Sequence, residues 1–155
     1  MSELNNSASF CADELANRLT FKLHTASRLV QQMSQQKLKS LELSQAQWRA
    51  LSGICTQPGT TLQQLTTFAQ ISQPLMSQAV KALEARNLVT RKTPENDKRS
   101  SVLSANQQGL QLYQQAYAAM LQVEQEMQLM LSDTGAQQLK TLLDVVVTGI
   151  NKKGK

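Results

Sequence analysis

The chain has 155 residues, a formal net charge of +5 and a sequence pI near 9.4, enough for one domain or for one subunit whose core a partner completes. The positive balance favours an anionic partner. With aromatics at only 4% there are too few rings to stack the bases of a single strand, so duplex is favoured over single-stranded nucleic acid. No apolar run approaches the roughly 18 residues of a membrane span, and Met1-Ser2-Glu3-Leu4-Asn5-Asn6 lacks the basic start and apolar core of a signal peptide; a cytoplasmic protein with no membrane partner is expected.

From about Ser9 to Gln36 the spacing of Leu15, Leu19, Leu23, Ala26, Val30 and Met33 predicts one long amphipathic helix. Its far end, Gln31 to Lys37, is polar. Ser44-Gln45-Ala46-Gln47 has the form of a capping box, in which a hydroxyl and a Gln side chain each satisfy a free N–H at a helix start. The helix it opens carries Trp48, Leu51 and Ile54 and stops before Gln57-Pro58-Gly59. Thr61-Leu62-Gln63-Gln64 is a second capping box, opening a short helix with Leu62, Leu65 and Phe68 pointing inward. The link Ala69-Gln70-Ile71 is then too short for anything but a tight turn, and the next helix starts at Ser72 with Pro74 in its first turn, where a missing N–H costs little.

That helix has two faces. Met76, Val80 and Leu83 follow the i, i+4, i+7 spacing of a buried stripe, to which Ala79 adds. The other face carries Gln73, Ser77, Gln78 and Lys81, with Leu75 close by and Ser72 at the start. These side chains donate and accept hydrogen bonds without negative charge, and an apolar Leu75 suits a thymine methyl. The same residues are ordinary on a solvated helix; the helix-turn-helix context is what favours DNA.

Downstream, Asn87 tolerates the left-handed conformation that ends many helices. Leu88-Val89-Thr90-Arg91-Lys92 alternates like a half-buried strand, Pro94-Glu95-Asn96-Asp97 is turn chemistry, and Ser101-Val102-Leu103 can pair back as a second strand. The result is a β-hairpin wing tipped by Lys98 and Arg99. An Arg there can enter the minor groove, where the negative potential attracts a guanidinium, with Asp97 holding it in position. Arg91, Lys98 and Arg99 therefore join the helix face as candidate DNA contacts. A charge run taken alone is more often a solvated tip.

A very long helix follows, about Asn106 to Leu131, with Leu110, Tyr113, Tyr117, Met120, Val123 and Met127 at helical spacing. A last helix follows the Ser132-Asp133 cap and uses Leu139, Leu142, Leu143, Val146 and Ile150. The terminal helices are more apolar than one small layer requires, so a homodimer is expected. The reading divides the chain into an N-terminal dimerisation helix (1–40), a winged helix-turn-helix lobe (41–105), C-terminal dimerisation helices (106–151) and a basic tail (152–155). The fold class is mainly α, with the wing hairpin as its β element.

Catalytic patterns are missing. His24 is the single histidine, so there is no HExxH, and there is no CxxC, no P-loop and no G-x-G-x-x-G. Glu14, Glu84, Asp97 and Asp144 are scattered without pairing spacing. No enzyme activity, cofactor or metal is expected. Cys11 and Cys55 lie far apart and on different predicted helices, which favours free thiols.

The order Leu43-Ser44-x-x-Gln47-Trp48-Arg49-x-Leu51, Thr61-x-x-x-Leu65, Ser77-x-x-Val80-x-x-Leu83-Glu84-x-x-Asn87-Leu88-Val89-x-Arg91, Asp97-x-Arg99-Ser100 and Asn106-x-x-Gly109 resembles the MarR family of winged-helix transcription regulators. The resemblance covers nearly the whole chain. Asn87 stands where the family usually has Gly, and Asn106 where a Thr cap is commoner; both can adopt the geometry required. The resemblance implies a homodimer whose first helix and last two helices interleave, reading a pseudopalindromic operator with two helices about one turn apart. It also implies a repressor released by a small, often anionic aromatic ligand bound between the dimerisation helices and the lobe.

On that analogy the ligand would meet His24, Arg28, Trp48 and Arg49, a cationic and aromatic set. The plainer reading makes Trp48 core, Arg49 a structural ion-pair partner and His24 a packing residue. Another branch of the family senses peroxides through a cysteine on the first helix. Here Thr20 stands in that place and His24 where a supporting tyrosine often stands, which weakens the redox reading, since a hydroxyl cannot become a sulfenic acid. The alternatives to a ligand-released regulator are a winged-helix protein-interaction module and a cysteine-based redox-responsive regulator.

Overall fold

In the computed structural model residues 14–93 and 101–153 are described. Outside the described residues lie the expected helix start at Ser9, Cys11, the turn Pro94 to Asp97, the wing-tip candidates Asp97, Lys98 and Arg99, and residues 154–155 of the basic tail.

The elements are α1 (Leu19–Lys39), α2 (Gln45–Thr56), β1 (Thr60–Thr61), α3 (Leu62–Ala69), α4 (Gln73–Ala85), β2 (Val89–Lys92), β3 (Val102–Ala105) and α5 (Gln107–Lys153). They form a mainly helical chain with a small antiparallel sheet, the winged-helix class expected. The contacts divide it into two units, Met1–Ala116 and Tyr117–Lys155.

In the first unit α2 is the central element, packing against α1, α3, α4 and β3. Its start is fixed by the expected capping box: the Gln47 backbone N–H donates to Ser44 Oγ at 3.2 Å and the Ser44 N–H to Gln47 Oε1 at 2.8 Å. Leu43, Leu51, Ile54, Leu65, Met76, Val80, Leu83 and Leu103 are fully buried together, each such side chain contributing roughly 1.5–3 kcal/mol of transfer free energy. Gly53 lets α3 come close, since a Cβ there would lie 2.6 Å from Leu65 Cδ2 and 3.1 Å from Phe68 Cδ1.

Three expectations need correction in this unit. The first helix does not run unbroken: Arg18 is extended (φ −66°, ψ 137°), α1 begins after it, and α1 ends three residues beyond Gln36, at Lys39. Phe68 does not point into the core but is 49% exposed, and Ala69 takes the buried place beside Leu65. The strand Leu88 to Lys92 does not alternate, because Leu88 and Val89 are both buried while Thr90, Arg91 and Lys92 are all exposed. Leu88 is still part of the helix-ending turn, and only Val89 belongs to the strand that follows.

The sheet has the order β1-β3-β2. Leu103 of β3 faces Thr60 on one side and Arg91 on the other. Thus the expected hairpin gains a third strand of two residues, supplied by the segment just before α3.

In the second unit α5 is interrupted at Ser132, whose φ of 60° and ψ of 164° are non-helical. Ser132 Oγ accepts the Gly135 N–H at 3.4 Å, a capping geometry that restarts the helix where the sequence places a cap. The two arms meet through Lys140 Nζ and Glu124 Oε1, 2.7 Å apart. Val123 and Ala136 are buried, but Leu129, Leu142, Val145 and Ile150 are exposed.

Candidate nucleic-acid interface

The helix-turn-helix is built from α3 and α4. Thr61 caps α3 as expected, with its Oγ1 accepting the Gln64 N–H at 3.3 Å and its own N–H donating to Gln64 Oε1 at 2.8 Å. The turn after α3 is closed by Gln70, which is left-handed at φ 53°. Two polar groups hold this turn: Gln70 Nε2 donates to the Thr67 carbonyl at 2.8 Å, and Arg49 Nη1 to the Ala69 carbonyl at 2.9 Å. The chain then enters α4 through Ser72, with Pro74 in the first turn.

Helix α4 sorts its residues as its periodicity requires. Met76, Ala79, Val80 and Leu83 are buried, while Ser72, Gln73, Leu75, Gln78 and Lys81 are exposed and Ser77 is half-buried. All six of these outward positions on the helix and its cap were selected from sequence, and α4 presents them along one solvent-facing side. Among the described residues none of them makes a side-chain hydrogen bond or ion pair within the chain. The Ser72 hydroxyl caps nothing, which leaves it available at the helix start.

The end of α4 is a Schellman turn with Asn87 in its left-handed position at φ 55°. The Leu88 N–H donates to the Leu83 carbonyl at 3.0 Å and the Asn87 N–H to that of Glu84 at 2.9 Å. Asn106 binds this turn to the start of α5: its Nδ2 donates to the Asn87 carbonyl at 2.6 Å while its Oδ1 accepts the Gly109 N–H at 2.9 Å. Gly109 is required here, because a Cβ would collide with the Leu88 carbonyl oxygen. The two departures from the resembling pattern, Asn87 and Asn106, thus do what Gly and Thr would do.

The two arginines beside α4 are both engaged. Arg91 Nε donates to Glu84 Oε1 at 2.9 Å, its Nη2 to Glu84 Oε2 at 3.4 Å and its Nη1 to Ser101 Oγ at 3.2 Å. This fork ties the last turn of α4 to β2 and to the residue just before β3. Arg86 Nη1 donates to the Glu42 carbonyl at 2.9 Å and its Nη2 to that of Leu41 at 3.3 Å, fastening the end of α4 to the loop between α1 and α2. Neither Glu84 nor Arg86 was singled out for the site from sequence. The signal for Glu84 was its opposite charge to Arg91 across a helix-ending turn; Arg86 bonds to carbonyls, which carry no sequence mark.

The contacts of Trp48 and Arg49, two of the four residues suggested for a ligand, lead elsewhere. Trp48 stacks on Tyr113, with centroids 5.8 Å apart and planes 13° from parallel, and Arg49 is bonded to Ala69. His24 and Arg28 are exposed on α1. Cys55 is a free thiol, half-buried on α2, and burial pushes its pKa up to about 11. Among the described residues no three His, Cys, Asp or Glu side chains form a group able to hold a metal, and no helix is long and apolar enough to cross a membrane.

Residues 43–101 match the model of the MarR family. Among solved structures, the chain is similar to the transcriptional repressor CouR bound to a 23-mer DNA duplex, at 23% identity and a TM-score of 0.81, over 86% of this chain and 95% of that one. It is similar to a MarR-family transcriptional regulator from Listeria monocytogenes complexed with a 26-mer DNA, at 22% identity and a TM-score of 0.80, over 88% and 91% of the two chains. A third similar structure is Bordetella bronchiseptica BpsR, whose DNA binding is regulated by 6-hydroxynicotinic acid, at 19% identity and a TM-score of 0.78, over 83% and 98%. At these identities the structures establish a shared fold, while the match over 43–101 covers both helices of the helix-turn-helix and the wing up to the start of β3. Residues 43–101 thus match the MarR family, and the described residues have the winged helix-turn-helix fold of the solved MarR-family regulators.

Proposed function

We propose that this protein regulates transcription in the cytoplasm as a homodimer that binds a pseudopalindromic duplex operator, represses, and lets go when a small anionic aromatic ligand binds. The observation that carries the reading is the outward side of α4, where Ser72, Gln73, Leu75, Gln78 and Lys81 stand exposed on a helix whose other side is locked into the core. A rigid helix with donors, acceptors and a cation outside is what a major groove accepts. Similar chains bound to DNA duplexes support it, and the ligand step draws on the regulated binding of BpsR.

The wing adds Lys92, exposed beside the Arg91 fork, and the wing-tip Lys98 and Arg99 with Asp97 as orienting partner. His24, Arg28, Trp48 and Arg49 are the residues proposed to meet the ligand. A protein-interaction module would want an apolar or acidic face, which Lys81 and Lys92 do not offer. A redox-responsive regulator built on Cys55 is disfavoured by the raised pKa, since the reactive species is the thiolate.

Footprinting of the DNA upstream of the protein's own gene tests the reading. Two protected half-sites about 10 base pairs apart, centre to centre, are expected for a dimer. Arg99→Ala should weaken binding to that site by about 1 to 3 kcal/mol if the side chain makes a groove contact. An unchanged affinity removes Arg99 from the interface, and the absence of any protected duplex overturns the function.

A further inference from the structure

Guanine is read in the major groove chiefly by an arginine or a lysine, whereas Gln pairs with adenine through N6 and N7 and an apolar side chain contacts the thymine methyl. Helix α4 carries no arginine before Arg86, at its C-cap. Arg86 spends its guanidinium on the Glu42 and Leu41 carbonyls. The next arginine, Arg91, is committed to Glu84 and Ser101. In contrast Gln73 and Gln78 are exposed with no in-chain partner among the described residues, and Leu75 is 45% exposed between them. From these occupied forks and open amides we infer that the major-groove core of each half-site is A·T, with adenines read by Gln73 and Gln78 and a thymine methyl by Leu75.

The inference rests on the proposed duplex binding and narrows it to a base composition. Recognition helices reach base edges mainly with their N-terminal residues. Gln73 is the first residue of α4 and Gln78 lies on its second turn. Lys81, the one cation on this face, stands eight residues beyond Gln73, about 12 Å along the axis at 1.5 Å per residue. That far from the N-terminal residues, which reach base edges most readily, Lys81 is assigned to a phosphate. Ser72 and Ser77 accept several bases and do not alter the preference.

The test is selection of duplexes by the full-length protein from a library with random base pairs, followed by binding to the selected site with single bases replaced. A·T pairs are expected at the centre of each half-site, and a G·C replacement there should weaken binding roughly ten-fold or more. Replacing one adenine by 7-deazaadenine, which lacks the N7 acceptor, should weaken the wild-type protein but not the variant Gln73→Ala or Gln78→Ala that has lost the partner of that base. Uracil in place of a thymine should do the same through Leu75→Ala. Selected half-sites centred on G·C, or base replacements that act equally on wild type and all three variants, overturn the inference and leave duplex binding standing. Failure to retain any duplex overturns both.

Discussion

The helix-turn-helix core of the first unit and the second unit treat apolar surface in opposite ways, while α1 of the first unit exposes Leu19, Phe21, Leu23 and Leu29. In Met1–Ala116 the helix-turn-helix core is closed, with Leu51, Ile54, Met76, Val80, Leu83 and Leu103 all at 0% exposure within a single chain. Among the described residues of Tyr117–Lys155 only Val123 and Ala136 of the apolar side chains are buried, while Leu129, Met130, Leu142, Val145 and Ile150 are each at least 63% exposed. The first pattern is that of a structure that specifies itself. The second is that of helices whose apolar stripes stay exposed in the single chain, as at an interaction surface. On the proposed reading a second copy covers that surface, and the lobe is a self-sufficient tool carried on an obligate interface.

Substitutions should separate the two units. Leu83→Ala, which empties a fully buried site behind α4, should cost about 2 to 5 kcal/mol, read as a lower denaturant midpoint. If the lobe tolerated it with no change, its core would not be the closed one described. Ile150→Asp should leave that core folded and instead weaken self-association by about 2 kcal/mol or more, the transfer free energy of one large apolar side chain. Sedimentation would then show a 17.2 kDa species at concentrations where the wild type is a dimer. A wild type that already sediments as a single chain would break the comparison.

Smaller effects sharpen it within the first unit. Glu84→Gln loosens the Arg91 fork between α4 and the wing, where the two side chains are 27% and 34% exposed. Because a partly exposed pair is screened, the loss of stability should stay at or below about 1 kcal/mol. A loss of several kcal/mol would mean that the pair anchors the whole lobe. Cys55 probes the wall of the core itself. A pKa raised from the ordinary 9.0 to about 11 in the folded chain gives a contribution to stability that is complete below the unfolded value and lost as pH rises toward 11. Alkylation at pH 8, followed on the peptide containing Cys55, should run about a hundred-fold slower than for an open thiol. Equal rates would show the site to be exposed.

What the sequence revealed followed from local chemistry. Both capping boxes, the buried stripe of α4, the left-handed Asn87 and the break at Ser132 each depend on residues within a turn or two of one another, so their spacing carried them, while the Asn106 cap came with the family resemblance. What it hid depends on remote partners. Strand β1 is two residues that become a strand only because Leu103 pairs with Thr60. Phe68 sits at a core spacing on α3, yet its ring only edges against Gly53 beside Leu65 and stays 49% exposed. Arg91, a candidate DNA contact by its charge, is held by Glu84, seven residues back across a turn. At the candidate site the outward residues of α4 were therefore legible as a set, but the engagement of the neighbouring arginines was not.

The central claim is that the exposed side of α4 and its flanking cations hold a DNA duplex. Fluorescence anisotropy of a labelled operator duplex against salt measures it directly. With roughly 6 to 10 phosphates contacted by a dimer, affinity should fall by about 10³- to 10⁵-fold between about 50 and 200 mM salt. Binding that is absent at low salt, or indifferent to salt across that range, would contradict the account.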